Sequence, residues 1–233
     1  MNSEIGEPMY TVNHRSSTSL RYFVIFMTIA TLAFCAQAAP VARTIYDSDH
    51  DLFRTTGYVS VDVEIGTLGK IAGTFPAYRD WTMYQINEAK DGKKYSILFR
   101  DVKYRPGGRG KLGIFRVYFD LDWPWPFGAK GKELDFAILK ATPNGQGGIN
   151  HLVIDLEEKG ALLKTFRLDM VASQTSNGSR VDFKAEVKFN GFVDTFFSLE
   201  RYRQNIEYRV VKVILNLQKH AEKNSDTGQD KAQ

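Results

Sequence analysis

The stretch Phe192–Lys223 constrains the fold most, because it carries the longest helical pattern of the chain and contains neither glycine nor proline. At helical spacing its apolar residues share one stripe: Phe192, Phe196, Leu199, Ile206, Val210, Val213 and Leu217. Polar residues occupy the other side and are predicted to face solvent: Arg201, Asn205, Arg209, Lys212, Asn216 and Lys219. A long amphipathic helix needs a large apolar partner, and the chain before it offers only strands. The sequence therefore predicts a sheet covered by one terminal helix.

Most of the chain before this helix alternates between apolar and polar residues, as half-buried strands do. Tyr58–Ile65 is the first such run, and Gly66–Tyr78 then changes to a spacing typical of short helices. Seven further strands are predicted at Met83–Glu88, Tyr95–Tyr104, Lys111–Asp122, Glu133–Ala141, Asn150–Glu157, Leu162–Val171 and Arg180–Asn190. The predicted class is α+β, with about seven or eight antiparallel strands, short helices after the first strand and a long C-terminal helix.

The N-terminal segment has the pattern of a secretory signal peptide. Two arginines precede the apolar run Tyr22–Ala36, and the small-x-small sequence Ala36-Gln37-Ala38 follows. We predict a signal peptide at 1–38, one domain at 39–223 and a disordered polar tail at 224–233, with an uncleaved membrane anchor as the alternative to cleavage. Cys35, the only cysteine, lies in the leader, so the mature chain has no disulfide. An exported protein without cysteine is typical of a bacterial periplasm.

Charge and motifs exclude several classes of function. The formal net charge is +4, and no basic run is interleaved with aromatic residues, so we expect no nucleic-acid partner. A mild positive excess does favour transient contact with an anionic membrane surface. Gly108-x-Gly110-x-x-Gly113 has the letters of a dinucleotide fingerprint but opens a strand, which excludes that use. We predict no cofactor, no metal and no catalytic residue.

Arg203 interrupts the apolar stripe of the terminal helix. Glu200 precedes it by three residues and Glu207 follows it by four, so both carboxylates lie within reach on a helix. In one interpretation Arg203 packs its stem and pairs with Glu207 as an ordinary ion pair. In the other it meets the polar head of an amphiphilic ligand inside an apolar cavity.

The sequence Trp123-Pro124-Trp125-Pro126-Phe127 follows a predicted strand and must form a loop, because its two prolines cannot take part in a ladder. Two interpretations remain open. The tryptophans either fold over one end of the core, or they form the rim of a cavity or touch a membrane.

The run Phe75-Pro76-Ala77-Tyr78-Arg79-Asp80-Trp81 stands where short helices lead back into the sheet. With the order of elements, it resembles the START/SRPBCC (Bet v 1-like) superfamily, over roughly Tyr58–Lys223. The resemblance implies a helix-grip fold and a deep apolar cavity between sheet and terminal helix, for a lipid, sterol, quinone or polyketide-like molecule. It transfers no catalytic residue.

Three hypotheses follow. The first is an exported carrier of a lipid-like or other hydrophobic small molecule. Its cavity would be lined by Phe119, Phe136, Phe183, Phe196 and Ile206. Arg203 would meet the polar head, Trp123 and Trp125 would stand at the mouth, and Glu207 would be a further ligand-binding residue. The second is a cyclase or hydrolase on the same fold, with Tyr84, Tyr118, Tyr202 and Glu207 as candidate groups. The third is a packed interaction module without ligand, since hollow and filled apolar faces give the same pattern.

Overall fold

The computed structural model describes residues 40–88, 96–108, 110–123, 126–160, 162–195 and 198–229. The predicted signal peptide lies outside the described residues. No helix within the described ranges is both long and apolar enough to cross a membrane.

Eight strands form a single antiparallel sheet in the order β1-β2-β8-β7-β6-β5-β4-β3. Their bounds are Val41–Asp47 (β1), Leu52–Val61 (β2), Ser96–Pro106 (β3), Gly113–Asp122 (β4), Ala129–Pro143 (β5), Ile149–Leu156 (β6), Leu163–Thr175 (β7) and Gly178–Phe189 (β8). The meander from β3 to β8 follows the predicted hairpins, so sequence neighbours pair throughout that part. Strands β1 and β3 are the two edges of the sheet.

Strand β8 shows why the pattern predicts the sheet well. Its residues from Ser179 to Phe189 alternate between buried and less buried positions, and Val187 and Ala185 are fully enclosed. One face of the strand is thus apolar and covered, as the alternation in sequence indicates.

The predicted number of strands is right, but one predicted strand is absent and another segment takes its place. Met83–Glu88, predicted as a strand, forms consecutive turns in which Ile86 N–H bonds to Met83 O and Glu88 N–H to Gln85 O. Gln85 has a φ of 50°, which a strand excludes. The eighth strand is β1, an edge strand in which only Thr44 is buried and which therefore shows no clear alternation.

Short helices connect β2 to β3. Helix α1 spans Ile65–Gly73, a 3₁₀ turn spans Phe75–Ala77 with Pro76 in its first turn, and helix α2 spans Tyr78–Thr82. Their existence confirms the predicted change of period, although they follow the second strand of the chain and not the first.

The C-terminal helix is long, as predicted, but has an irregular start. A short helix α3 spans Gly191–Asp194, and Ser198 then caps helix α4 at Leu199–Tyr202. A π-helical segment, Arg203–Glu207, joins α4 without a break to α5, Tyr208–Gln229. The helix therefore extends six residues beyond Lys223, into the predicted tail.

The side of this helix predicted to face solvent is only partly right: Lys219 is exposed, but three other members are not. Asn205, Arg209 and Asn216 are all buried, whereas Arg203, predicted at the centre of the apolar stripe, is exposed. One reason is the wider turn of the π segment, which rotates the residues before it relative to those after it. The other is that the turns after α2 and the start of β3 cover the helix: Asn216 donates to Tyr84 O over 2.7 Å.

With a sheet, short helices and one long terminal helix laid against the sheet, the molecule has the helix-grip architecture expected from the sequence.

Candidate functional site

A cavity of about 220 Å³ lies between the sheet and the terminal helix. Its sheet wall is made by inward-facing residues of β3 to β7: Phe99, Val102, Phe115, Val117, Phe136, Ile154, Phe166, Leu168 and Met170. Strands β1, β2 and β8 contribute nothing to this lining. The alternation of β7 is visible here, because Phe166, Leu168 and Met170 face the cavity while Val171 is exposed on the other side.

Helix α2 and the turns after it close one side of the cavity with Tyr78, Trp81, Thr82, Met83 and Ile86. Tyr78 stacks on Phe115 with ring centroids 4.5 Å apart and packs against Trp81 at 4.6 Å. Its hydroxyl donates to Ala72 O over 2.6 Å, and burial raises the pKa of Tyr78 above its ordinary value. The phenol is therefore neutral at physiological pH, with its hydrogen committed to the backbone.

The roof of the cavity comes from the terminal helix, through Ile206, Arg209, Val210 and Val213. Ile206 lies in the π segment and the other three lie in the first turns of α5.

Arg209 is the one charged residue in this lining and is only 5% exposed. Its Nε donates to Ile86 O over 3.2 Å and its Nη2 to Ile97 O over 2.6 Å. Its Nη1 donates to the backbone oxygen of Asn205 and, over 3.2 Å, to Asn205 Oδ1. The guanidinium also lies over the ring of Phe99, 5.0 Å from its centroid. Desolvation lowers the pKa of Arg209 to about 10, so the side chain remains a cation at neutral pH.

The described lining holds donors but no carboxylate. The Thr82 hydroxyl is occupied, since it donates to Tyr78 O over 2.7 Å. Trp81 is 4% exposed, and its Nε1 has no acceptor among the described residues. An arginine carries five N–H groups, and Arg209 makes four hydrogen bonds to described residues. Two N–H groups thus stand ready for an acceptor that the described protein does not supply.

The sequence-predicted site residues divide among several places. Phe136 and Ile206 line the cavity. Phe183 is buried in the core beside it, packed near Gly57, and is not part of the lining. Phe196 and Trp125 lie outside the described residues.

Phe119 and Trp123 line a separate pocket of about 370 Å³. Both side chains are buried within one apolar cluster, so Trp123 lies over the core. Lys132 and Glu133 also border this pocket. A third hollow, of about 390 Å³, has a mixed lining that includes Phe183 and the charged residues Asp169, Arg180 and Lys184. The first cavity is distinguished from both by its apolar lining rather than by its volume.

Arg203 and Glu207 lie at strand β1 and not in the cavity. Arg203, with half of its side chain exposed, donates from Nη2 to Thr44 O over 3.0 Å. Its Nε is 3.9 Å from Glu207 Oε2, a weak ion pair of the kind that the first interpretation of Arg203 expects. The Glu207 carboxylate accepts a hydrogen bond from the Thr44 hydroxyl.

The four groups considered for an enzyme are not assembled in the cavity. Tyr84 is 54% exposed, and Tyr118 lies beside Lys103, whose Nζ is 5.1 Å from its ring centroid. Tyr202 is fully buried, and its oxygen accepts from Thr55 over 3.1 Å. Burial raises the pKa of Tyr202, so this phenol is neutral at physiological pH. None of the four residues appears in the lining.

Sequence reasoning missed Arg209 and Trp81 as site residues. Arg209 lies beside the predicted apolar stripe and is buried because the turns after α2 and the start of β3 cover it, through Ile86 O and Ile97 O. The signal for Trp81 was present in the run Phe75–Trp81, where three aromatic residues stand close together.

No protein-family model matches the chain, and no curated protein sequence does either. Several solved structures resemble it. The di-domain ARO/CYC BexL from the BE-7585A biosynthetic pathway is 11% identical, with a TM-score of 0.48, and the match covers 88% of this chain and 60% of BexL. The chain thus spans less than two thirds of the length of that di-domain protein.

Two shorter proteins are matched over nearly their whole length. The Zhui aromatase/cyclase from Streptomyces sp. R1128 is 10% identical, with a TM-score of 0.48, over 79% of this chain and 96% of Zhui. Major latex-like protein 151 from Panax ginseng is 11% identical, with a TM-score of 0.45, over 73% of this chain and 98% of the ginseng protein.

Proposed function

We propose that this protein binds a small hydrophobic or amphiphilic molecule in the cavity beneath the terminal helix, and that it acts as a carrier of that molecule in the cell envelope. The observation behind the proposal is the cavity itself, whose described lining is apolar except for Tyr78, Trp81, Thr82 and Arg209. Filling such a space with an apolar ligand releases water from apolar surface and restores lost packing contacts. The envelope location rests on the signal-peptide pattern at 1–38.

The size of the cavity limits the ligand. A volume of about 220 Å³ lies below the range of about 300–1,000 Å³ that is usual for drug-sized ligands. We therefore propose a single medium-length chain or a small ring system as the occupant, and not a two-chain lipid.

A binding role is supported over catalysis by the chemistry of the lining. General acid–base catalysis needs a titratable group within reach of the substrate. The described lining offers Tyr78, whose hydroxyl is bonded to the backbone, and Arg209, which stays protonated at neutral pH.

The test is native mass spectrometry of the mature protein, isolated from its own cell envelope without detergent and then extracted with organic solvent. A stoichiometric adduct that is removed by extraction is the expected result, and its mass gives the ligand class. A clean apo mass, together with no uptake of 1-decanol by the purified protein, would overturn the proposal in favour of a packed module.

A further inference from the structure

The charge of the ligand can be inferred from the burial and the hydrogen-bond partners of Arg209, and this inference rests on the proposed function. Arg209 is a buried cation whose four hydrogen bonds to described residues are accepted by Ile86 O, Ile97 O, Asn205 O and Asn205 Oδ1. All four acceptors are neutral. A buried charge is costly unless it is paired, and neutral dipoles offset only part of that cost.

Arg209 has no ion pair with a carboxylate of the described residues, and two acidic residues on the elements around it have other partners. Glu207, two residues earlier in the helix, accepts from the Thr44 hydroxyl. Asp101 of β3 is bound by Arg79, with Nε and Oδ1 2.8 Å apart. No aspartate or glutamate occurs in the described lining of the cavity. The counter-charge for Arg209 is therefore missing from the described part of the protein.

A second observation points the same way. The Nε1 of Trp81, another residue of the same lining, is buried without an acceptor in the described ranges. Buried donors in folded proteins nearly always have a partner, so an orphan donor on a cavity wall marks the place of a missing acceptor. A chamber with one cation, one orphan N–H donor and no carboxylate is complementary to a ligand whose polar end is an anionic oxygen group.

We infer that the molecule bound in the cavity is a small amphiphilic acid whose carboxylate is held by Arg209, with its apolar body lying along β3 to β7. The remaining Nη2 hydrogen of Arg209 is directed to the carboxylate, and Trp81 Nε1 supplies a second donor in the same chamber. Hydrogen bonds between a guanidinium and a carboxylate are charge-assisted and are about twice as strong as hydrogen bonds between neutral groups.

The test compares two probes of equal chain length, decanoic acid and 1-decanol, by titration calorimetry of the mature wild-type protein at neutral pH. We expect the acid to bind about tenfold or more tightly than the alcohol, because a hydrogen bond to a charged group is worth that much in affinity. Equal affinities would overturn the inference and leave the proposed function intact. Binding of neither probe would overturn both.

Two variants assign the preference to Arg209. In Arg209→Gln the acid is expected to lose its advantage while the alcohol binds as in wild type. Lys212→Gln is the matched control, since it removes a cation one turn along the same helix whose Nζ bonds to Gln85 and which does not line the cavity. It should keep the preference for the acid. A preference that survives in Arg209→Gln would overturn the role given to this residue.

Arg209 also ties the helix to Ile86 and Ile97, so the glutamine variant has to be checked for folding by circular dichroism. If Arg209→Gln fails to fold, Arg209→Lys is measured in its place. Because lysine keeps the positive charge, we expect this variant to retain part of the preference for the acid. The wild-type comparison of acid with alcohol depends on no variant and decides the ligand class by itself.

Discussion

The Thr55 hydroxyl on strand β2 donates a hydrogen bond to the phenol oxygen of Tyr202 on the terminal helix, over 3.1 Å, although the two residues are 147 positions apart. Thr55 also bonds to Thr44 Oγ1 at 2.8 Å, and Thr44 donates to Glu207. The ring of Tyr202 stacks on Phe53, with centroids 4.4 Å apart. A short series of hydrogen bonds within an apolar cluster thus fixes the start of the helix to the β1–β2 hairpin.

The first prediction concerns these hydrogen bonds between the β1–β2 hairpin and the helix. Thr55→Val keeps the shape of the side chain but leaves the buried hydroxyls of Thr44 and Tyr202 without their shared partner. We expect the free energy of unfolding to fall by about 1–3 kcal/mol, measured by urea denaturation. Thr56→Val, on the exposed face of the same strand, is the control and should change stability by no more than about 0.5 kcal/mol. Equal losses of stability at both positions would show that the hydrogen bonds of Thr55 make no specific contribution to the free energy of unfolding.

The second prediction concerns the turns that close the cavity. Asn216 donates to Tyr84 O over 2.7 Å and thereby holds the segment that carries Met83 and Ile86. Asn216→Leu removes this bond without removing bulk, and we expect stability to fall by about 1 kcal/mol. Amide hydrogen exchange should accelerate in residues 83–88 more than in β8. His220→Ala, one turn further along the helix, should leave exchange in 83–88 unchanged.

The third prediction fills the cavity. Val213→Phe adds a ring to the roof, and because empty space is available we expect stability to rise by about 1 kcal/mol. The affinity for 1-decanol should fall about tenfold or more, since the ring takes the place of the ligand. Val171→Phe makes the same change on the outer face of β7 and should bind 1-decanol as wild type does. Unchanged binding in Val213→Phe would show that the ligand lies elsewhere.

The fourth prediction concerns acid pH. Hydrogen bonds from Arg116 Nε at 2.7 Å and Arg105 Nη2 at 2.9 Å hold the pKa of Asp135 below its ordinary value of 3.8. A carboxylate whose pKa is lower in the folded state stabilises that state above its unfolded pKa, and this contribution disappears as pH falls through the folded pKa. Asp135→Asn should therefore lower the melting temperature at about pH 7 more than at about pH 3. A deficit that is independent of pH would contradict this assignment.

Much of the fold follows from simple periodicity, and the failures have identifiable physical causes. The strands from β4 to β8 alternate because one face packs against the helix or the cavity, so their pattern is strong. Strand β1 escaped prediction because an edge strand with one buried residue, Thr44, has little pattern to show. Met83–Glu88 mixes apolar and polar residues without glycine or proline, and the positive φ of Gln85 that bends it has no signal in the sequence.

The candidate site was harder to predict than the fold. Phe136 and Ile206 were placed correctly because they belong to strong apolar stripes. Arg209 was missed because burial of an arginine depends on what covers the helix, and the covering turns were themselves predicted as a strand. Arg203 was placed on the apolar stripe but is exposed, because it begins a π segment, and a π turn has no clear signature in one sequence.

Two groups of strands in the sheet contact different parts of the molecule. Strands β3 to β7 supply the whole sheet wall of the cavity, whereas Thr44, Phe53, Thr55 and Phe189, on β1, β2 and β8, hold the start of the terminal helix. Substitutions on the sheet wall of the cavity therefore leave these contacts at the start of the terminal helix untouched. Because the two sets of residues lie on different strands, point mutations can change the shape of the cavity while the anchor of the helix is kept.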